Sequence, residues 1–372
     1  MKFLYKISRI ILGLVFIVSG FLKAVDPLGT TFKLSDYFVH VFGLGEMFSF
    51  ALILSFLLNA IEFSLGVMLL FNLFPKLSSW LFWALMAIFT PLTLYLAIKN
   101  PITDCGCFGD AIKLSNWQTF WKNIIFIILF LPFQFMKNRF PPRFSLKCRK
   151  FILTVTVLLI FSFELYNYNY LPIIDFRPYK VGVNIPEAMA IPADAPKDEY
   201  QTILIYKNKR TGEVREFTEE NYPWQDTNWM WLDTKTKLIK KGYQPPIHDF
   251  AIVDSSGNDI TDSVLHLPYA ILIITYDITK ANIRGIRKIK NLIPRLASNL
   301  HASVFWLSGS SDKENQKIKT KFDLHFSFFS TDQTALKTFI RANPGIVILK
   351  NGTIYKKFHY HTLNKHIISK IN

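Results

Sequence analysis

Two cysteines separated by a single glycine carry the most distinctive chemistry in this sequence. They lie in the run Asp104-Cys105-Gly106-Cys107-Phe108-Gly109-Asp110. Cysteines two positions apart can bring their Cα atoms within the span of a disulfide, and Gly106 removes the side chain that would oppose so tight a turn. A ring this small is strained, so its disulfide is easily reduced. The spacing therefore favours thiol exchange over a permanent cross-link.

Three kinds of site stay open for this pair. Redox exchange is favoured, and a static disulfide that merely closes the loop is the next interpretation. Metal binding ranks last, because zinc or iron would take four ligands and His40 is the only imidazole in the neighbouring outer loop. The third cysteine, Cys148, lies among cations and is predicted to be a reduced, unpaired thiol.

The cysteine motif falls between long apolar stretches, each close to the ~20 residues that cross a bilayer. Five such stretches predict membrane helices, approximately over residues 7–25, 47–71, 77–98, 119–136 and 151–168. The first follows basic residues as a signal peptide would, but no small-residue cleavage site comes after it, so we interpret it as a membrane helix. Pro91 is expected to kink the third.

Composition supports a membrane part joined to a polar part. The 372 residues are 50% hydrophobic and only 19% charged, against about a quarter charged in soluble domains, which excludes a purely soluble enzyme. Residues 1–170 hold 15 of the 43 Lys and Arg and 7 of the 27 Asp and Glu, so the composition changes near residue 170. The basic excess of the first part lies in short loops, as topology determinants do, and no nucleic-acid partner is predicted.

The basic loops predict the orientation in the membrane. An N-terminus inside the cell places ten of the fifteen basic residues of this part in the cytoplasm: Lys2, Lys6, Arg9, Lys76, Lys137, Arg139, Arg143, Lys147, Arg149 and Lys150. With five spans, the cysteine loop and the C-terminal half then face the outside, where disulfide chemistry operates. We expect a multi-pass protein of the bacterial cytoplasmic (inner) membrane with a periplasmic C-terminal domain.

Ionisable and amide groups inside the predicted bundle are functional candidates. Asn59 and Glu62 are three residues apart and share a helix face, while Lys23 lies near the outer end of the first helix, within reach of Asp26 or Glu62. One interpretation is a proton or quinone site beneath the cysteine loop, with a quinone as electron acceptor. The other is a buried polar clamp between helices, with Lys23 extending to the interface.

The N-terminal half resembles the MauE branch of the DoxX-like membrane proteins, a family named after methylamine utilisation and after an oxidase-associated subunit. The resemblance covers about residues 1–136 and rests first on the cysteine motif between two membrane helices. Further matching features are Gly13, Ser19-Gly20, Lys23, Asp26-Pro27, Glu62, Gly66, Trp117 and Trp121-Lys122-Asn123. It implies a four-helix membrane bundle with a redox or maturation role that helps form disulfides in an exported partner. The fifth helix and the long outer part depart from the short family form.

Past residue 170, prolines mark a tether that leads into a predicted hairpin over residues 202–206 and 213–217. Trp224, Trp229 and Trp231 follow, and we interpret them as core rather than as a sugar or peptide site. Strands are then predicted at 249–254, 270–276, 302–307, 324–329, 346–350 and 354–360, with helices at 280–300 and 331–341 and a last helix at the end. Asn351-Gly352 is a strong hairpin turn.

Residues 245–372 resemble the thioredoxin-like fold, especially its peroxiredoxin-type variants. The resemblance rests on Pro245-Pro246-Ile247-His248-Asp249-Phe250 and on Asn343-Pro344-Gly345-Ile346-Val347, which is similar to the segment with that family's cis-proline. It implies a peptide-docking surface at Asn343 and Pro344. Where the family has its cysteine pair, this chain reads Asp277-Ile278-Thr279-Lys280, so the domain cannot exchange disulfides itself.

The sequence thus predicts five regions in order. They are a four-helix DoxX/MauE-like transmembrane bundle (1–136), a basic cytoplasmic loop (137–150), a fifth transmembrane helix (151–170), an extracytoplasmic tether with a small β-containing region (171–244) and a thioredoxin-like domain without catalytic cysteines (245–372). The favoured function is a membrane thiol-disulfide oxidoreductase in which Cys105 and Cys107 exchange with an exported client, while Lys23, Asn59 and Glu62 relay charge. The alternative is a non-catalytic scaffold whose outer domain binds an envelope partner.

Overall fold

The computed structural model describes residues 2–45, 47–102, 104–240 and 242–369. The N-terminal half is helical, and its helices, in chain order, are α1 (Lys2–Val25), α2 (Pro27–Asp36), a π-helical turn (Tyr37–Val41), α3 (Phe48–Phe71), α4 (Pro75–Lys99), α5 (Asn116–Met136) and α6 (Leu146–Asn169). Among the described residues, four helices are long and apolar enough to cross a membrane: α1, α3, α4 and α5. The helix predicted at 151–168 exists as α6, and its crossing of the bilayer stays a prediction.

Local chemistry sets where these helices begin and end. Pro75 occupies the first turn of α4, where its missing N–H has no helical partner to lose. Ser115 caps α5, its side chain accepting from the Gln118 backbone while the Gln118 side chain accepts from the Ser115 N–H. Asn72 ends α3 in the left-handed conformation. The sequence interpretation missed α2 and the π-helical turn, because a short amphipathic segment between two spans has weak periodicity.

Helices α1 and α3 approach so closely that side chains are excluded at the contact. A Cβ on Gly66 would lie 2.5 Å from the backbone nitrogen of Ile17, and one on Gly20 would lie 2.6 Å from that of Phe63. Small residues at such crossings let membrane helices pack backbone against backbone. This contact matters for the site, since it brings Ser19 and Lys23 of α1 level with Glu62 of α3.

The C-terminal half carries two sheets within its described residues. The first is antiparallel, in the order β2-β1-β3, from β1 (Glu199–Asn208), β2 (Val214–Thr218) and β3 (Trp229–Lys240). The second is mixed, in the order β6-β5-β4-β7-β8, from β4 (Tyr269–Thr275), β5 (Ser303–Ser308), β6 (Phe328–Ser330), β7 (Gly345–Lys350) and β8 (Thr353–His359). The helices of this half are α7 (Ile185–Met189), α8 (Thr261–Leu265), α9 (Ile283–Leu300), α10 (Asp312–Phe322), α11 (Gln333–Phe339) and α12 (Lys365–Ser369).

The five-stranded sheet is the core of the outer domain. Strand β4 runs parallel to β5 and antiparallel to β7, and its side chains are buried on both faces. The apolar stripe of α9, including Ile286, Ile289 and Ile293, packs on one face as predicted. Phe339 of α11 packs on the other, together with Phe250. The hairpin turn at Asn351-Gly352 is confirmed, since both residues have positive φ.

Three predictions for this half are wrong. The strand predicted at 324–329 begins only at Phe328, as β6. Residues 249–254 form no strand, because only Val253 makes bridges, to Ser330 and Asp259. The tryptophans are not core residues, since Trp224 is 70% exposed and Trp231 is 56% exposed. The three-stranded sheet beside them is largely exposed on both faces, so it creates no interior deep enough to bury an indole.

Candidate functional site

The cysteine pair lies in the loop between α4 and α5, at the end of the bundle that faces the outer domain. Cys105 is buried and Cys107 is half-buried, and both line the same cavity. Gly106 adopts φ +67°, a conformation that its missing Cβ permits, and its N–H donates to Asp104 Oδ1 at 3.0 Å. The two cysteines therefore flank a tight backbone turn at Gly106.

Helix α2 and the π-helical turn that follows it contact one side of this loop. The Tyr37 hydroxyl donates to the Cys105 carbonyl oxygen at 2.6 Å, and burial raises the pKa of Tyr37, so it stays a donor. Lys33 Nζ lies 3.0 Å from Asp104 Oδ2, and its alkyl chain packs over Gly106. The sequence analysis missed both residues, because nothing in the local pattern shows that α2 folds back over a loop 70 residues further along.

A buried ion pair lies directly beneath the loop. Lys23 Nζ is 2.6 and 2.7 Å from the two carboxylate oxygens of Glu62, so of the two predicted partners the structure selects Glu62. The Ser19 hydroxyl lies 2.9 Å from both Glu62 Oε2 and the Cys107 carbonyl oxygen. With a single proton it can donate to one of them at a time. Ser19 thus links the ion pair to the cysteine loop.

Asn59 is not part of that network. Both of its amide atoms are buried without a hydrogen-bond partner among the described residues, although it is one turn from Glu62 on α3. Its neighbour is Glu164 of α6, a residue the sequence interpretation passed over. Glu164 is 0% exposed, and its two oxygens also lack partners in the described structure. Within the described part of the bundle, Glu62 and Glu164 are thus both buried, the first paired with a cation and the second not.

The surroundings of the two thiols shift their pKa values in opposite directions. A hydrogen bond from Cys105, together with the nearby cations Lys122 and Lys23, lowers the pKa of Cys107 to about 6. The same hydrogen bond and burial raise the pKa of Cys105 well above its ordinary value. Lys122 of α5 lies over the Phe108 ring, 5.2 Å from its centroid. Because the thiolate is the nucleophilic form of a cysteine, Cys107 is the more nucleophilic of the two sulfurs at neutral pH.

Alkylation of the reduced, full-length protein measures this difference. The initial rate at Cys107 should rise with pH through about pH 6 and level off above it, since the thiolate fraction saturates above the pKa. Cys105, in the same peptide, serves as internal control and should react slowly across this range. Mass spectrometry of the iodoacetamide adducts gives both rates. A Cys107 midpoint near the ordinary thiol value of about 8.5 would contradict the assignment.

Two spaces adjoin the loop. Beneath it is a cavity of about 60 Å³ lined by both cysteines, Lys23, Glu62, Lys122 and apolar side chains. A space of this size can hold water molecules, and the proton or quinone site predicted beneath the loop stays a prediction. Above the loop, a polar cleft of about 850 Å³ separates it from the outer domain.

The outer domain contributes the far wall of that cleft. Asn343 lines it and donates from Nδ2 to the Asp277 carbonyl oxygen at 2.6 Å. Pro344, which follows a cis peptide bond, instead packs against Gly285 of α9. Arg341 crosses the junction and contacts Asp26 and Asp110 of the membrane part. Within the described residues, no group of three or more His, Cys, Asp or Glu side chains is arranged to hold a metal ion.

Comparison with known families supports the N-terminal assignment. Residues 1–135 match the family described as methylamine utilisation protein MauE, and residues 200–241 match a domain of unknown function, DUF8463. No curated protein and no solved structure matches the chain. The N-terminal part is therefore MauE-like, as its motif predicted, and the chain is a multi-pass membrane protein. The second match coincides with the three-stranded sheet.

Proposed function

We propose that this protein is a membrane thiol-disulfide oxidoreductase that exchanges disulfides with an exported client protein. The observation that carries the proposal is the Cys105-Gly106-Cys107 turn at the cleft-facing end of the bundle, where both cysteines line one cavity with Lys23, Glu62 and Lys122. The matched family is named for methylamine utilisation. For this chain we propose the maturation of an exported partner.

The exchange uses the two cysteines in sequence. The Cys107 thiolate attacks one sulfur of a client disulfide, forming a mixed disulfide and releasing the client's other sulfur as a thiolate. Cys105 then gives up its proton and attacks the Cys107 sulfur, which closes the Cys105–Cys107 disulfide and frees the second client thiolate. The client is reduced by two electrons and the pair is oxidised by two. The reverse sequence oxidises a client dithiol.

The charged groups beneath the loop have a defined part in these steps. Lys23 and Lys122 stabilise the Cys107 thiolate, and the loss of that negative charge on oxidation leaves Lys23 fully with Glu62. We assign Ser19 and Glu62 to proton exchange with the loop. Asn59 does not share their hydrogen bonds, so we give it no role in proton exchange.

The outer domain is proposed to be thioredoxin-like and to recruit the client. Its strand order β6-β5-β4-β7-β8, with β4 parallel to β5 and antiparallel to β7, supports that fold. With no cysteine after β4, it supplies a surface, and the cleft lined by Asn343 lies between that surface and the cysteine loop. The basic loops support placement in a bacterial cytoplasmic membrane, with the N-terminus inside and this domain in the periplasm.

Alkylation trapping in intact cells tests the proposal. We expect Cys105 and Cys107 to cycle between thiol and disulfide within minutes after mild pulses of oxidant and reductant, because the small ring is readily reduced. Mass shifts after acid quenching and alkylation report the state of each sulfur. A pair that stays oxidised throughout would instead favour a static loop on a scaffold. The observation that favours this second candidate is the buried contact of Arg341 with Asp26 and Asp110, because it joins the two halves of the protein without using a thiol.

A further inference from the structure

One buried guanidinium joins the outer domain to both sides of the cysteine loop. Arg341, which follows α11, is 5% exposed. Its Nε lies 3.0 and 2.8 Å from the two carboxylate oxygens of Asp26, and its Nη2 lies 2.9 Å from Asp110 Oδ2. Nη1 donates to the Lys337 carbonyl oxygen, and the Phe32 ring lies 5.3 Å from the guanidinium carbon. A single side chain therefore meets two separate segments of the membrane part.

Each of those segments leads to a cysteine. Asp110 ends the cysteine motif, three residues after Cys107. Asp26 caps α2, accepting from the Gly29 N–H at 2.9 Å. The chain that begins with this cap carries Lys33, which pairs with Asp104, and Tyr37, which holds the Cys105 carbonyl. The cysteine loop, through Asp110, and α2, through Asp26, therefore both contact the Arg341 guanidinium.

We propose that Arg341 is a positioning residue through which the cysteine-free outer domain holds the Cys105–Cys107 loop in its reactive arrangement. This inference rests on the proposed exchange function and adds a role for the domain besides client recruitment. Removing the cation leaves Asp26 and Asp110 without their shared partner, and two carboxylates at a half-buried junction repel each other. The loop and α2 then move apart, and the contacts of Lys33 with Asp104 and of Tyr37 with the Cys105 carbonyl oxygen weaken.

The chain offers a matched control. Arg177 is also buried, 3% exposed, and forms a two-point ion pair with Asp175. It lies on the tether and has no recorded contact with the cysteine loop or α2 among the described residues; its other bond is to the Thr338 carbonyl oxygen. Arg177→Gln therefore removes a buried guanidinium of similar setting that makes no ion pair with Asp26 or Asp110, the two carboxylates that Arg341 joins.

The experiment compares full-length Arg341→Gln, Arg341→Lys and Arg177→Gln in nanodiscs. Two readouts are taken: the pH midpoint of Cys107 alkylation, and the equilibrium of the Cys105–Cys107 pair with a glutathione buffer. The titratable groups that share the cavity with Cys107 are Cys105, Lys23 of α1, Lys33 of α2, Tyr37 of the π-helical turn, Glu62 of α3 and Lys122 of α5, and all are unchanged in these variants.

We expect Arg341→Gln to raise the alkylation midpoint and to shift the glutathione equilibrium about tenfold or more. Arg341→Lys should give an intermediate result, since a lysine keeps the charge but loses the planar fork. Arg177→Gln should match the unmodified protein. If Arg341→Gln matches it as well, the inference is overturned.

Asp110→Asn keeps the test decisive if Arg341→Gln does not fold. Asp110 is part-exposed, and its change releases only the loop side of the contact. It should shift both readouts in the same direction, and unchanged readouts would refute the positioning role. Because these measurements use purified protein and glutathione, they are independent of whether the thiols cycle with a client in cells.

Discussion

Replacing Cys107 by serine is expected to abolish disulfide exchange, whereas replacing Cys105 by serine should give a protein that stops at the mixed disulfide. The reason is that the pKa values of the two thiols differ. Only Cys107 has its pKa lowered, and only a second thiol can resolve the adduct that it forms. Turnover with a model disulfide should fall to the uncatalysed background in both variants. Non-reducing gels of the Cys105→Ser protein should show client adducts that disappear on reduction.

Cys148→Ser is the control for these variants, because this cysteine lies on α6, well apart in sequence from the motif, and has no part in the proposed steps. It should retain full turnover. The reverse trapping pattern, with adducts in Cys107→Ser and none in Cys105→Ser, would interchange the two roles. Unchanged turnover in the double variant would remove the redox function and leave the scaffold interpretation.

The largest effect on stability is expected at the Lys23–Glu62 pair. Glu62→Gln leaves the Lys23 ammonium buried without its counter-charge, which should lower the free energy of unfolding by about 3–5 kcal/mol. Glu164→Gln is the matched control, since it is also a buried carboxyl of the bundle but has no cationic partner among the described residues. Its change should be neutral or stabilising, because it removes a group whose charged form is costly to bury.

Unfolding followed by tryptophan fluorescence in detergent micelles measures both variants. The single variant Lys23→Met and the double variant Lys23→Met/Glu62→Gln complete a double-mutant cycle with Glu62→Gln. In the double variant most of the lost free energy should return, since neither charge then stays unpaired. If Glu62→Gln and Glu164→Gln behave alike, the ion pair contributes little to the bundle. Its value would then lie in the chemistry of the loop alone.

Much of the fold was accessible from local patterns. The helices of the bundle, the α9 stripe and the β7–β8 turn follow from hydropathy, period and turn chemistry over a few residues, and the MauE likeness follows from resemblance to the family. The errors occurred where burial depends on distant partners. Trp231 is apolar and lies in a strand, but its sheet has no covering layer to bury it. Val253 has strand-like neighbours, yet its segment makes only isolated bridges.

Some features of the candidate functional site likewise follow from the local sequence, and others depend on the tertiary structure. By itself the sequence determined the thiol pair, its spacing and its position at one end of a membrane bundle, because these are properties of adjacent residues. Only the tertiary structure decided which charges face the sulfurs. Lys23 and Glu62 are 39 residues apart, and Arg341 and Asp26 are 315 apart. Such pairs form when helix packing and domain docking bring two faces together, and the local sequence around either partner does not encode that choice.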